Sequence, residues 1–163
     1  MKIQKIVSLA LMTAVVLLLS GCGRASLPTP EIMKKETQGF NLPKLPEKGK
    51  ALVYVVRPEV LGFAIKFNVY IDDKQASSEM GYTRGQQYIY FNVKPGKHEI
   101  KSLAENWASV NIDAKEGDII FLEQESKMGL LYARNALYND YTQLAGKYRV
   151  KTLKLGTIIK ADK

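Results

Sequence analysis

Three kinds of pattern follow one another along the chain. Residues 6–19 form one apolar run, broken by Ser8 and Thr13 and preceded by Lys2 and Lys5. Residues 23–50 are polar and carry four of the six prolines, Pro28, Pro30, Pro43 and Pro46. From Ala51 onward, short alternating or wholly apolar runs are separated by turn residues, as in an all-β sandwich or barrel. A first strand is predicted over 51–57, ended by Pro58, which cannot donate to a central ladder. Over 66–72, Phe67, Val69 and Ile71 alternate with Asn68, Tyr70 and Asp72. A turn at Asp73 and Lys74 leads to a weaker strand over 75–79. Over 87–93, Ile89, Phe91 and Val93 make a core face, with Tyr88, Tyr90 and Asn92 opposite. Pro95-Gly96 then suits a turn, which predicts 98–104 as the paired strand of a hairpin. A second hairpin is predicted from 108–112 and 119–125 through Gly117-Asp118, and a last strand over 130–133.

The period changes near the end. Tyr141, Leu144, Ala145 and Tyr148 fall at i, i+3, i+4 and i+7, which predicts a helix over 141–151. Asp140 would cap it, Gln143 would complete a capping box, and Gly146 would be its weak point. The expected fold is therefore mainly β: an antiparallel sandwich over 51–155 with a short C-terminal helix. Residues 156–163 form a tail that adds a strand or frays.

The first run is too short for a spanning helix, which needs about 20 apolar residues. Its basic start and small-residue end fit a secretory signal segment over 1–21. The closing residues Leu19, Ser20, Gly21 and Cys22 resemble the lipobox of bacterial lipoproteins. That resemblance implies cleavage before Cys22, a diacylglycerol on its thiol and an acyl chain such as palmitate on its freed amine. An ordinary signal peptide with a chance cysteine is the competing reading; the chain has one cysteine, and it falls where lipidation needs it. In the lipoproteins this resembles, an acidic residue after the cysteine retains the protein on the inner membrane. Gly23 is not acidic, which implies the outer membrane, periplasm-facing, or the cell membrane where there is only one. One acyl chain binds weakly at about 0.8 kcal/mol per methylene, but two or three hold firmly. No cofactor beyond this covalent lipid is expected.

Residues 22–50 read as a lipidated N-terminus and Pro-rich tether, too polar to offset its own ordering entropy. Phe40, Leu42 and Leu45 are the residues that could pack it back onto the domain, and 31–36 could form a marginal helical turn. The formal charge of +8 falls to +6 once Lys2 and Lys5 leave with the leader. Such a surface outside the cytoplasm would find acidic partners in the envelope, though charge spread along the chain is more commonly just a solvated surface, and nucleic acid is not expected there. With no second cysteine, no intramolecular disulfide can form.

Four markers in order carry a further resemblance: residues 51–58, residues 68–73, Tyr88 through Pro95-Gly96-Lys97-His98, and 117–121. Together they resemble the small bacterial lipoprotein domain known as the domain of unknown function number twenty-eight forty-six, over about residues 48–155. The resemblance implies an immunoglobulin- or transthyretin-like sandwich and supplies no catalytic residue. The sequence itself offers none. His98, the one histidine, follows a turn and lacks the partners of a catalytic or metal-binding imidazole. Asp72 and Asp73 lack calcium-loop spacing.

The suggestive feature is tyrosine. Tyr70, Tyr88 and Tyr90 fall on polar-looking strand faces, with Tyr54 able to join them. Such rings form a binding surface or pack beneath the C-terminal helix. Packing is the stronger reading, because an amphipathic helix needs an apolar surface to cover. The function these features support is a membrane-anchored, non-enzymatic binding or structural module, facing an envelope protein or cell-wall polymer. The alternative is a hydrolase of envelope polymers using carboxylates such as Asp72 or Glu99.

Overall fold

The structure, a computed structural model, describes residues 24–162. The signal segment expected over 1–21 and the lipidation expected at Cys22 fall outside the described residues. Strand β1 (Ala51–Arg57) is buried along its whole length. Its unbroken run Ala-Leu-Val-Tyr-Val-Val suits a strand covered on both faces. β2 (Phe67–Ile71), β3 (Glu79–Thr83), β4 (Gln87–Val93), β5 (Gly96–Leu103), β6 (Trp107–Ala114), β7 (Ile119–Met128) and β8 (Ala133–Tyr138) follow. Two short strands, β9 (Lys154–Leu155) and β10 (Thr157–Ile158), end the series. They make two five-stranded sheets, ordered β8-β7-β1-β4-β9 and β10-β3-β2-β5-β6. The core between them contains Val53, Val55, Val69, Ile71, Ile89 and Phe91, as the alternation predicts.

Most strands are where the pattern puts them. The last one, expected over 130–133, is β8 from Ala133 onward, with 130–132 as the loop before it. Two of the hairpins are not as expected. Pro95-Gly96 does not join paired strands: β4 pairs with β1 and β9, whereas β5 pairs with β2 and β6. Residues 115–118 likewise carry the chain from β6 in one sheet to β7 in the other. A turn signal reports that the chain reverses; it does not report which sheet it returns to. Because β7 enters from the far sheet, it runs parallel to β1, with Tyr54 opposite Phe121. The central pair of that sheet is thus parallel rather than antiparallel. The true hairpins are β2–β3, β5–β6 and β7–β8. Residues 76–78 form a 3-10 turn, and the weak strand expected there starts at Glu79 instead.

The segment expected to be a tether is packed. Helix α1 (Pro30–Thr37) begins with proline at its first turn, where a missing N–H costs nothing. It buries Met33 and Thr37 against helix α2 (Gln143–Thr152). Phe40 and Leu42 join Leu52, Tyr54, Val56 and Phe121 on the outer face of the β1 sheet. Polar groups fix the rest: the Tyr54 hydroxyl donates to the Lys44 carbonyl at 2.7 Å, and the Glu47 N–H donates to Asn92 Oδ1 at 3.1 Å. Of the three residues named as able to pack the segment back, Phe40 and Leu42 do so and Leu45 stays exposed. Composition favoured a tether because the apolar surface that receives the segment exists only once β1, β4 and β7 pair.

Helix α2 is capped by Thr142, whose hydroxyl accepts the Ala145 N–H at 3.2 Å, not by Asp140. Asp140 lies before the cap and is used elsewhere. The tail does not fray: β9 extends one sheet and β10 the other, so residues 154–158 stitch the two together.

Candidate functional site: the clasp at the start of the chain

Arg24 is the most heavily bonded of the described N-terminal residues. Its guanidinium meets Glu123 on β7, with Nε donating to Oε2 at 2.8 Å and Nη2 donating to the same oxygen. It also makes a bidentate pair with Asp140, at 2.6 and 2.8 Å. Two parallel charged hydrogen bonds fix orientation as well as distance. The guanidinium lies 4.3 Å from the centroid of Tyr138. Hydrogen bonding to Asp140, then to Glu123, raises the Arg24 pKa, and Arg24 holds the Asp140 carboxyl below its usual range. The next residues are fixed too. The Ala25 N–H donates to Glu59 Oε1 at 3.3 Å, and Arg149 of α2 donates to the Ala25 and Ser26 carbonyls. Arg149 Nε is positioned by the Tyr141 hydroxyl at 3.1 Å. The clasp therefore joins residues 24–26 to β7, to the end of β1 and to α2.

Beneath it lies a carboxyl pair. Glu59 and Glu123 are both buried. Burial pushes the Glu59 carboxyl up to about 7, and the neighbouring negative Glu123 adds to the shift. The folded state therefore binds this proton more tightly than the unfolded chain does. Its contribution is complete below about pH 4.5 and is lost as the pH rises through about 7. Glu59→Gln keeps the shape and the acceptor for Ala25 but carries no charge. It should match the native protein near pH 5 and exceed its stability by about 1–3 kcal/mol at pH 8. Urea midpoints at the two values check this; equal midpoints for the two proteins at pH 8 would rule out a buried charge penalty at Glu59.

The pair does not form an accessible acid–base site. The Glu123 side chain is 1 % exposed, and Arg24 closes over it. What remains outside is a depression of about 300 Å³ whose lining includes Arg24, Ala25, Leu27, Glu123, Asp140 and Tyr141. The Glu123 carboxylate that borders it is already paired with Arg24.

The structure separates the three tyrosines proposed as one surface. Tyr70 lies on β2 in the second sheet and packs on Trp107, ring centroids 5.2 Å apart. Tyr88 and Tyr90 lie on β4 in the first sheet. They surround Tyr54 at 6.0 and 5.6 Å, with Phe121 stacked on its other side at 5.4 Å. This second group belongs to the apolar layer that Val150 of α2 also enters. Tyr88 is buried and Tyr90 half-buried, so they are packing residues. Asp72 receives His98 Nδ1 at 3.1 Å, while Glu99 is paired with Lys101. His98 Nε2 meets the Lys94 carbonyl at 2.9 Å, so the imidazole ties two turns together.

Residues 47–137 match the model of a family described as "Protein of unknown function (DUF2846)". The chain belongs to the DUF2846 family. An uncharacterized protein of Haemophilus influenzae is 28% identical over 155 residues, covering 94% of this chain and 86% of that protein. The span matched to the DUF2846 model runs from just before β1 to the last residues of β8. It contains Glu59 and Glu123 but neither Arg24, Asp140 nor Arg149. The clasp thus joins the DUF2846 sandwich to its flanking segments. The sequence pattern pointed to none of Arg24, Glu59, Glu123 and Arg149, and it gave Asp140 a different role, as a helix cap. One signal was available: Glu123 directly follows the apolar run 119–122 in the same strand, and a buried carboxylate requires a partner.

Proposed function

We propose that this DUF2846 chain is an envelope lipoprotein, attached through acyl chains on Cys22 and carrying a non-enzymatic binding or structural sandwich. The outer membrane, with the domain facing the periplasm, is the proposed site. The observation that carries the reading is the position of the clasp. Arg24 stands two residues after Cys22 and is already bonded to Glu123 and Asp140. A lipid on Cys22 would therefore be attached to a rigid body almost directly, with no long leash. The lipobox pattern supplies the chemistry, and the closed carboxyl pair speaks against a hydrolase. The membership itself is in a family of unknown function, so no reaction is inherited from it.

The test is the intact mass and the fractionation of the native product. Cleavage before Cys22 plus the mass of a diacylglycerol and one further acyl chain is expected, with the protein in the membrane fraction. Cys22→Ser should lose the added mass and at least about tenfold of the membrane-bound share, since it removes every acyl chain at once. Unchanged mass and attachment in that variant would refute the anchor.

A further inference from the structure

One end of the sandwich is built to present apolar side chains outward. β1 and β7 run parallel toward this end, and the loops that follow them carry Val60, Leu61, Phe63, Leu130, Leu131 and Tyr132. Leu130 is 90% exposed, Leu131 79%, Tyr132 70% and Phe63 66%. The two loops touch: a Cβ placed on Gly62 would lie 3.1 Å from that of Ala133. Contiguous exposed apolar surface of this kind marks an interaction site.

These loops are held firmly. The Glu105 carboxylate, in the β5–β6 turn, accepts the backbone N–H groups of Leu130, Leu131 and Tyr132 at 2.9, 3.2 and 2.9 Å. Those bonds hold its pKa below the usual range. Asn106 beside it exchanges hydrogen bonds with Asn135, at 2.8 to 3.0 Å. The other loop is gathered by Arg57, which donates to the carbonyls of Leu61, Gly62 and Ile65. Polar side chains thus satisfy the loop backbones while the apolar side chains face out.

We infer that this end enters the surface of an anionic phospholipid bilayer, with the two loops inserted between headgroups. The inference rests on the anchor proposed above and extends it to the orientation of the whole domain. Three observations select lipid as the occupant. First, the described chain starts at Arg24, bonded to Glu123 on β7, one of the two parallel strands that run to this end. Second, the distances agree. Five residues of strand separate Glu123 from Met128, a rise of about 17 Å. Insertion by about 10 Å leaves Glu123 about 7 Å from the surface, which matches the reach of about 7 Å of the two-residue connection from Arg24 to Cys22. Third, the charges suit anionic headgroups. Lys66 and Arg134 are exposed and Arg84 is half-buried at this end. The nearby carboxylates are engaged: Glu105 by three amides, Glu59 by Ala25, and Glu125 by Lys127 and the Tyr138 hydroxyl.

The experiment uses the mature acylated protein in vesicles of phosphatidylcholine and phosphatidylglycerol. Trp107, the one native tryptophan, is replaced by Phe. A single reporter is then placed at the tip with Leu131→Trp, or at the opposite end with Lys94→Trp. Lipids brominated on their acyl chains should quench the first by at least half and shift its emission to the blue, and should leave the second unchanged. In a third protein, with Phe63→Trp as reporter, Leu130→Asp with Leu131→Asp should abolish the quenching without lowering the melting temperature, because both leucines are exposed. Acylated, vesicle-bound protein whose Leu131→Trp is unquenched overturns the insertion while leaving the anchor intact. Quenching in protein that lacks acyl mass sinks the anchor and leaves the insertion standing. Neither acyl mass nor quenching overturns both. Protection of an unquenched tip by another envelope protein would assign the patch to a protein and overturn the lipid assignment.

Discussion

Arg57→Ala should lower the unfolding free energy by about 3–5 kcal/mol, with the urea midpoint falling and the slope unchanged. Arg57 is fully buried at the end of β1. Its Nη1 donates to the Ile65 carbonyl at 2.7 Å, and its Nη2 donates to those of Leu61 and Gly62 at 3.1 and 2.9 Å. The guanidinium lies 3.5 Å from the centroid of Phe67. Burial pulls its pKa down to about 10, still far enough above neutrality to keep it charged. Truncation opens a cavity and leaves three loop carbonyls without their donor. Arg57→Lys should recover little, since one ammonium cannot reproduce a planar fork reaching three acceptors. Arg57→Met separates the two causes, because it fills the space and offers no donor. If Met restores native stability, packing accounts for the effect and the hydrogen bonds contribute nothing. If Met stays near Ala, the carbonyls govern. The second outcome is expected, together with faster proteolysis of residues 58–66.

The role of Arg57 shows what could be read from the sequence. It was legible as the last residue before Pro58 and as the end of a strand. Its inward orientation was not legible, because a charged residue at a strand end is normally solvated. The same limit recurs. Alternation in β2 and β4 identified the faces that meet in the core, and the apolar run of β1 identified a strand but not that both its faces are covered. Alternation is a property of single strands, and burial follows it whatever the neighbour. Pairing is a property of two strands, and the turns at Pro95-Gly96 and at 115–118 look the same whether they fold back or cross to the other sheet. For that reason Tyr70 was grouped with Tyr88 and Tyr90, although the sandwich core lies between them.

The candidate site was less legible for a related reason. Residues 23–50 resemble a linker in composition, and only Met33, Phe40 and Leu42 give apolar surface to bury. Their docking depends on a layer formed by Tyr54, Tyr88 and Phe121 on the outside of a sheet. Arg24 depends on Glu123 and Asp140, 99 and 116 residues away. No local pattern encodes a partner at that distance. The basic residue was visible; its carboxylates were not.

Gly146→Ala gives the sharpest contrast between local and tertiary reasoning. Within an isolated helix this change stabilises by about 1 kcal/mol, because alanine restricts the unfolded backbone and suits the helix. Here it should destabilise by about 2–3 kcal/mol. Gly146 is buried in the first turns of α2, and a Cβ built on it would overlap the Phe121 ring at Cγ and both Cδ atoms. The ring has little room to yield, since Tyr54 stacks on it with an interplanar angle of 16°. The helix can relieve the overlap only by moving away from the sheet, which loosens Val150 and the Arg149 contacts to residues 25–26. A melting temperature lower by roughly 6–10 °C is the expected reading. The double variant Gly146→Ala with Phe121→Leu isolates the cause. If the clash is steric, the pair should be more stable than the sum of the single changes by at least about 1 kcal/mol. Additive effects, or a Gly146→Ala protein as stable as the native one, would mean that α2 does not rest on Phe121. The sequence makes this glycine look like a flaw in a helix; the sheet beneath makes it the one residue that lets the helix close on the aromatic layer.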